Sequence, residues 1–184
     1  VAAWSYFVSF PLPLDKMVQE ADIVIKATVL STDQTPDETF KPYKPFIAYS
    51  TKMKVISVLK GQLSEKKIDF HHYDKDNPKS YGSGNYEPQS YHFQEGRTYI
   101  VFAKLTKTPG LLRQVWDSPS LKSDQGQVIA ADNKPIHATT TVKQAIWEEL
   151  VHLLHSSDVT LIKYAIGQLH SMSCTDGSLC STAD

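Results

Sequence analysis

The sequence predicts a mainly β fold with an α-helical appendage, namely a five-stranded Greek-key barrel followed by a two-helix antiparallel hairpin. Between about residues 22 and 116, segments rich in β-branched residues alternate with loops rich in proline and glycine. After Thr140 the apolar residues recur every three or four positions, which is typical of helices. Strands and helices do not alternate along the chain, which argues against a parallel α/β sheet.

The composition is that of a folded domain without an obvious polyanionic partner. Of the 184 residues, 41% are hydrophobic and 21% are charged, which is enough apolar material for a core. The 19 basic and 20 acidic residues give a formal net charge of −1. This balance argues against nucleic acid as a partner, because nucleic acid selects for clustered lysine and arginine. No apolar run is long enough to cross a bilayer, so we expect no membrane insertion.

The elements follow in order along the chain. A short amphipathic helix is expected at Leu14 to Ala21, and the first strand at Asp22 to Ser31, where β-branched and apolar residues dominate. A long loop at residues 32–45 precedes a second strand, whose length indicates a bend or bulge of the kind that curves barrels. The strands expected after the first are Ile47 to Leu59, Lys67 to Tyr73, Arg97 to Leu105, Leu111 to Trp116 and a short one at Gln127 to Ala131.

The strand count and the helical spacing define the domain organisation. Five strands with long loops fit an OB-type Greek-key barrel better than a sandwich, which needs more strands. Residues Val142 to His155 and Val159 to Met172 carry facing apolar stripes, and Asp158 caps the second helix. We therefore assign residues 1–140 to the barrel, 141–172 to the helical hairpin and 173–184 to a flexible tail.

Three strand segments stand in the order and spacing of the netrin-like module, which includes the inhibitory domain of tissue inhibitors of metalloproteinases. They are EADIVIKATVLS (Glu20 to Ser31), KVISVLKG with KKIDF (Lys54 to Gly61 and Lys66 to Phe70), and GRTYIVFAKL (Gly96 to Leu105). The sequence resembles that TIMP-like module over residues 10–116, which implies an OB-fold barrel. The helical hairpin resembles a single HEAT-type unit, whose apolar stripe we expect to pack on the barrel.

The cysteines set this chain apart from those inhibitors. The resemblance implies an N-terminal cysteine that chelates the proteinase zinc, but Val1 stands at that position. The two cysteines, Cys174 and Cys180, form either a small disulfide loop or two free thiols. The resemblance therefore implies a shared scaffold, with proteinase inhibition through some other surface as one alternative.

Histidines raise a metal hypothesis. His71 and His72 are adjacent on a strand and point to opposite faces, so they do not bind one ion together. Either one with His92 and Asp74 offers imidazole and carboxylate ligands suited to zinc. The simpler interpretation is a pair of ordinary strand histidines, with no cofactor.

Aromatic residues mark a candidate binding surface in the loop at residues 74–93. Tyr81, Tyr86, Tyr91 and Phe93 lie close together in sequence, and rigid aromatic side chains supply contact area at little entropic cost. Alternatively, these side chains seal the open end of the barrel.

No catalytic constellation stands out in the sequence. The adjacent Glu148 and Glu149 are interpreted as part of a solvated helix face. The preferred hypothesis is a non-enzymatic binding or interaction domain, secreted or periplasmic, whose partner is another protein or a carbohydrate. A metal-binding protein or metal-dependent enzyme that uses His71, His72 and His92 is the alternative.

Overall fold

Five strands hydrogen-bond into a closed ring in the computed structural model, which describes residues 14–40, 46–75, 91–115, 126–137 and 140–175. Strand β1 pairs with β2, β2 with β3, β3 with β5, β5 with β4, and β4 back with β1, while β6 adds to β4 outside the ring. The β3–β5 pair is parallel and the others are antiparallel. The strands are β1 (Ile23–Gln34), β2 (Phe46–Lys60), β3 (Lys67–Lys75), β4 (Thr98–Leu105), β5 (Leu111–Gln114) and β6 (Gln127–Ile129).

Three helices accompany the strands in the described residues: α1 (Leu14–Glu20), α2 (Val142–Leu153) and α3 (Val159–Thr175). The Thr141 side chain caps α2 by accepting a hydrogen bond from the Gln144 amide. The Lys60 ammonium donates to backbone carbonyls at the C-terminal end of α1, where the helix dipole favours a positive charge. The first contact marks the start of α2, and the second holds the end of α1 against β2.

The prediction of a mainly β fold with a helical appendage is confirmed, with two differences. Strand β1 continues to Gln34, into the region expected to be a loop, because residues 31–34 pair with residues 49–52 of β2. The register between β1 and β2 shifts at several points, as the expected bend in the long second strand requires. Helix α3 also runs to Thr175, three residues beyond its expected end. The part of the tail from residue 176 onward lies outside the described residues.

Most of β4 and residues 23–29 of β1 are buried on both faces, which explains their nearly continuous apolar sequences. One face of each strand points into the strand ring, and the other face is covered by the helices. The inward side chains include Ile23, Ile25, Ala27, Tyr99, Val101 and Ala103. The outward ones are Val24, Ile100 and Phe102, which pack with Met17 of α1, Ile146, Leu150 and Leu153 of α2, and Ala165 of α3.

A charged side chain stands in the middle of this helix-covered face. Lys26 of β1 is 1% exposed, and its ammonium contacts the carboxylate of Glu149 on α2 and that of Asp132, at 3.1 Å from the latter. The second Glu149 oxygen accepts a hydrogen bond from the Ala131 amide at 2.6 Å. The expectation that Glu149 lies on a solvated helix face is wrong, because its side chain is buried against the strand ring. Its neighbour Glu148 is exposed.

Replacing Glu149 tests this ion pair. We expect Glu149→Gln to lower the free energy of unfolding by about 3 kcal/mol, because it removes the most buried counter-charge of a buried ammonium. The double variant Lys26→Met with Glu149→Leu should recover most of that loss, since neither charge then remains. Urea unfolding measures both. The control is Glu148→Gln on the exposed face, expected to change stability by less than about 0.5 kcal/mol; equal losses at 148 and 149 would rule the account out.

Candidate functional site

A continuous groove runs over the outer face of β3 and β5, on strands that the helices leave uncovered. Three adjoining depressions of about 500, 590 and 650 Å³ form it, and all three are lined by Thr108 and Leu111. We call this surface the β3–β5 groove. Its further lining includes Glu65, Lys67, Asp69 and His71 near β3, Lys52 of β2, Asp37 and Phe40 of the β1–β2 loop, and Lys107 and Arg113 of the β4–β5 hairpin.

The pairing of β3 with β5 sets the order of side chains along the groove. In the parallel register His71 lies opposite Arg113, and Asp69 lies opposite Leu111. Alternate residues point inward, so Phe70 and Leu112 belong to the interior while their neighbours line the groove. The groove floor is therefore a fixed array of side chains on two hydrogen-bonded strands.

The β4–β5 turn forms one wall of the groove and is held by its own hydrogen bonds. The Thr106 hydroxyl donates to the carbonyl of Leu111 at 2.8 Å, and the Asp69 amide donates to the carbonyl of Gly110 at 2.8 Å. Gly110 has φ +74°, a left-handed conformation that glycine adopts without strain. The hairpin expected at Thr108-Pro109-Gly110 is confirmed by the antiparallel β4–β5 pairing.

The β1–β2 loop forms the opposite wall and brings Asp37 to His71. Phe40 anchors the loop, because its ring stacks on Tyr73 at 4.5 Å and lies 5.5 Å from the His71 ring. One Asp37 oxygen accepts hydrogen bonds from the amide and the hydroxyl of Thr39, at 2.9 and 2.7 Å. The other oxygen faces His71 Nδ1 at 3.4 Å.

These contacts shift the ionisation of both groups. The hydrogen bonds from Thr39 hold the pKa of the Asp37 carboxyl below its usual range, and His71 adds to that effect. Burial lowers the pKa of His71, and the nearby carboxylates of Asp37 and Asp69 offset part of this effect. The groove thus carries a fixed negative charge at Asp37 beside an imidazole that is neutral at ordinary pH.

Two of the four aromatic residues expected to form a binding surface lie inside the strand ring. Tyr91 is 0% exposed and Phe93 is 8% exposed, and both pack with Phe70. The alternative, that these rings seal the open end of a barrel, stays a prediction. Tyr81 and Tyr86 lie outside the described residues.

The histidines and the carboxylate of the metal hypothesis are only partly brought together. His92 Nδ1 lies 2.9 Å from Asp74 Oδ2, whereas His71 faces Asp37 and His72 points into the interior. Within the described ranges, no group of three or more His, Cys, Asp or Glu side chains is placed to hold a metal ion. Cys180 and the side chain of Cys174 lie outside the described residues, so their disulfide stays a prediction.

A chain of hydrogen-bonding side chains leads from the exposed Thr32 to the buried His72. The Thr32 hydroxyl lies 2.9 Å from that of Thr51, which in turn lies 2.7 Å from His72 Nε2. His72 Nδ1 is buried without a hydrogen-bond partner, among the rings of Tyr49, Phe70 and Phe93. Burial lowers the pKa of His72 to about 4, so His72 is neutral in the folded protein at ordinary pH.

The pH dependence of stability tests this burial. The unfolded imidazole takes up its proton near pH 6.5, and the folded one only near pH 4. Stability is therefore complete above the unfolded pKa and falls by up to about 3 kcal/mol as pH drops towards the folded pKa. His72→Phe should remove most of that loss when unfolding is followed in urea at about pH 5 and about pH 8. The exposed His92→Gln serves as control; a slope unchanged by His72→Phe would contradict this prediction.

Gly126 packs closely against Tyr91, one of the rings inside the strand ring. A Cβ at Gly126 would overlap the hydroxyl and the ring of Tyr91. We expect Gly126→Ala to cost about 3 kcal/mol in thermal or urea unfolding, because the buried ring has little room to shift. The matched control is Gly167→Ala in α3, where nothing lies within 4 Å. That substitution should stabilise the protein by about 1 kcal/mol, and a loss at both positions would speak against the packing account.

The groove and the ion pair were both missed at the sequence level. Glu149 falls on the same helical stripe as Ile146, Leu150 and Leu153, so its spacing was a usable signal of burial. Asp37, Thr108 and Arg113 gave no such signal, because they meet only through the parallel β3–β5 pairing and the course of two loops.

The chain matches no family model, and no curated protein is significantly similar to it in sequence. None of the helices in the described ranges has the length and apolarity needed to span a membrane. The functional assignment therefore rests on the residues of the chain itself.

Proposed function

We propose that this chain is a non-enzymatic interaction domain that binds a segment of a partner protein in the β3–β5 groove. The observation that carries the proposal is the groove itself, a set of three depressions that share lining residues and whose floor and two walls are held by hydrogen bonds and ring contacts. A binding site on such preorganised side chains loses little conformational entropy when a ligand is bound. An extended segment of a partner can reach all three adjoining depressions.

We also propose that the strand ring is an OB-type barrel of the netrin-like kind. Its support is the closed ring of five strands and the position of the groove between the β1–β2 and β4–β5 loops. In OB folds these two loops flank the ligand-binding face. If the strand ring is such a barrel, the part of the groove lined by Asp37 and Lys107 lies beside the two loops that flank the ligand-binding face.

The charges of the lining favour a polypeptide over a nucleic acid. The lining carries the basic side chains of Lys52, Lys67 and Arg113 together with the acidic ones of Glu65 and Asp69. The groove therefore offers partners to side chains of both signs. A single-stranded nucleic acid needs a continuous basic track and exposed aromatic rings for stacking. Phe40 lines the groove, but it is only 6% exposed. Its ring therefore offers little surface on which a nucleic acid base could stack. A carbohydrate is the other partner class, and the test below separates the two.

Panning a random-peptide display library on the purified protein, in parallel with a glycan array, tests the proposal. We expect enriched peptides that bind the wild type and lose at least about tenfold in affinity for Thr108→Trp, which fills the groove. The control is Thr160→Trp, an exposed threonine of α3 that lines none of the three depressions. Peptides that bind Thr108→Trp as well as the wild type would contradict the groove as the site, and glycans bound in their place would change the partner class.

The resemblance of three strand segments to the netrin-like module supports two further proposals, export of the chain and inhibition of a proteinase. If this chain inhibits a proteinase through the groove, Thr108→Trp should abolish the inhibition of that proteinase in a panel assay and Thr160→Trp should not. Inhibition that survives both substitutions would place that activity outside the groove.

A further inference from the structure

We infer that the His71 end of the β3–β5 groove binds a carboxylate of the partner segment, and binds it more tightly when His71 is protonated. This inference rests on the proposed function and adds the chemistry of the ligand and its regulation by pH. It follows from three side chains that line the same depression of about 650 Å³: His71, Arg113 and Lys107.

The positive groups come from neighbouring elements of fixed geometry. Arg113 is the register partner of His71 in the parallel β3–β5 pair, so the two side chains leave the same face of strands about 5 Å apart. Lys107 belongs to the β4–β5 turn directly beside them. A carboxylate seated in this depression can be bound by the His71 imidazole, by the Lys107 ammonium and, beside the contact it already makes, by the Arg113 guanidinium.

The one carboxylate that lines this depression in the described residues is already engaged. Asp37 uses one oxygen to accept two hydrogen bonds from Thr39 and turns the other towards His71 Nδ1. Asp37 therefore orients the imidazole through Nδ1. An imidazolium donates from both nitrogens, so protonation adds a donor for the incoming carboxylate without breaking the contact to Asp37.

The charged groups around His71 affect how readily its imidazole is protonated. Burial disfavours the protonated ring, whereas Asp37 and Asp69 favour it. A bound carboxylate adds a further negative charge beside the ring and so raises the pKa of His71. By reciprocity, a proton on His71 then raises the affinity for the carboxylate by the same factor. The surrounding charges are Asp37 of the β1–β2 loop, Lys52 of β2, Lys67, Asp69 and His72 of β3, Glu65 before it, Lys107 of the turn and Arg113 of β5.

The test uses a blocked tri-glutamate peptide as the probe and a blocked tri-glutamine peptide as its neutral counterpart. Each is titrated into the ¹⁵N-labelled protein, and the amide shifts of His71, Thr108 and Arg113 are followed at about pH 5.5 and about pH 8. We expect the acidic peptide to bind at least about fivefold more tightly at the lower pH. His71→Gln should remove the pH dependence, and Arg113→Gln should weaken binding at both pH values. The control is Lys163→Gln on the exposed side of α3, which should change neither.

The outcomes separate this inference from the proposed function. Acidic-peptide binding that depends on pH through His71 supports both. If both peptides shift the groove amides equally at both pH values, the groove binds polypeptide but the carboxylate inference is overturned. If neither peptide shifts them, the carboxylate inference is again overturned, and the library panning decides on the proposed function. If a variant fails to fold, the wild-type protein still tests the inference. Equal affinity for the tri-glutamate peptide at both pH values would overturn it.

Discussion

The buried ammonium of Lys26 constrains how the rest of this chain is arranged. A lysine in the middle of a strand that is covered on both faces needs a counter-charge within contact distance, because an unpaired charge in such a place is strongly destabilising. Glu149 supplies most of it from α2, and Asp132 supplies the remainder from the segment after β6. One ion pair thereby fixes the helical hairpin on β1 and orders the chain that leads to it. An apolar pair in its place would hold the same surfaces together without specifying their register as narrowly.

This arrangement divides the outside of the strand ring into two surfaces. The helices cover an outward face of β1 and β4 that carries Val24, Ile100 and Phe102 around the Lys26 pair. The β3–β5 groove lies on the uncovered strands, where charged side chains such as Asp69, His71 and Arg113 line it together with Leu111. Burial of one surface provides stability, and the other is left to side chains that do not contribute to the core. The same division explains why β1 and β4 have nearly continuous apolar sequences, whereas β3 alternates Ile68 and Phe70 with Asp69 and His71.

The sequence was sufficient for the elements and insufficient for the site. Strand and helix positions follow from local periodicity, and most agree within a few residues with the structure. Periodicity could not reveal that Tyr91 and Phe93 point inward, because the segment before them has no regular spacing. It also could not place Asp37 beside His71 or Arg113 opposite it, since both contacts depend on pairings between residues distant in sequence. Lys26 and Glu149 are an intermediate case. The apolar neighbours of each residue were a signal of burial, but the sequence did not show that the two side chains pair with each other.

Native-state hydrogen exchange tests the central claim, that the helical hairpin and the strand ring fold as one unit held by the Lys26 ion pair. We expect the slowest amides of α2, such as that of Leu150, and of β4, such as that of Ile100, to exchange with the same opening free energy, equal to that of global unfolding. In Glu149→Gln both should fall together by the loss in global stability. An α2 that opens at lower free energy than β4 in the wild type, and whose opening alone responds to Glu149→Gln, would contradict the account.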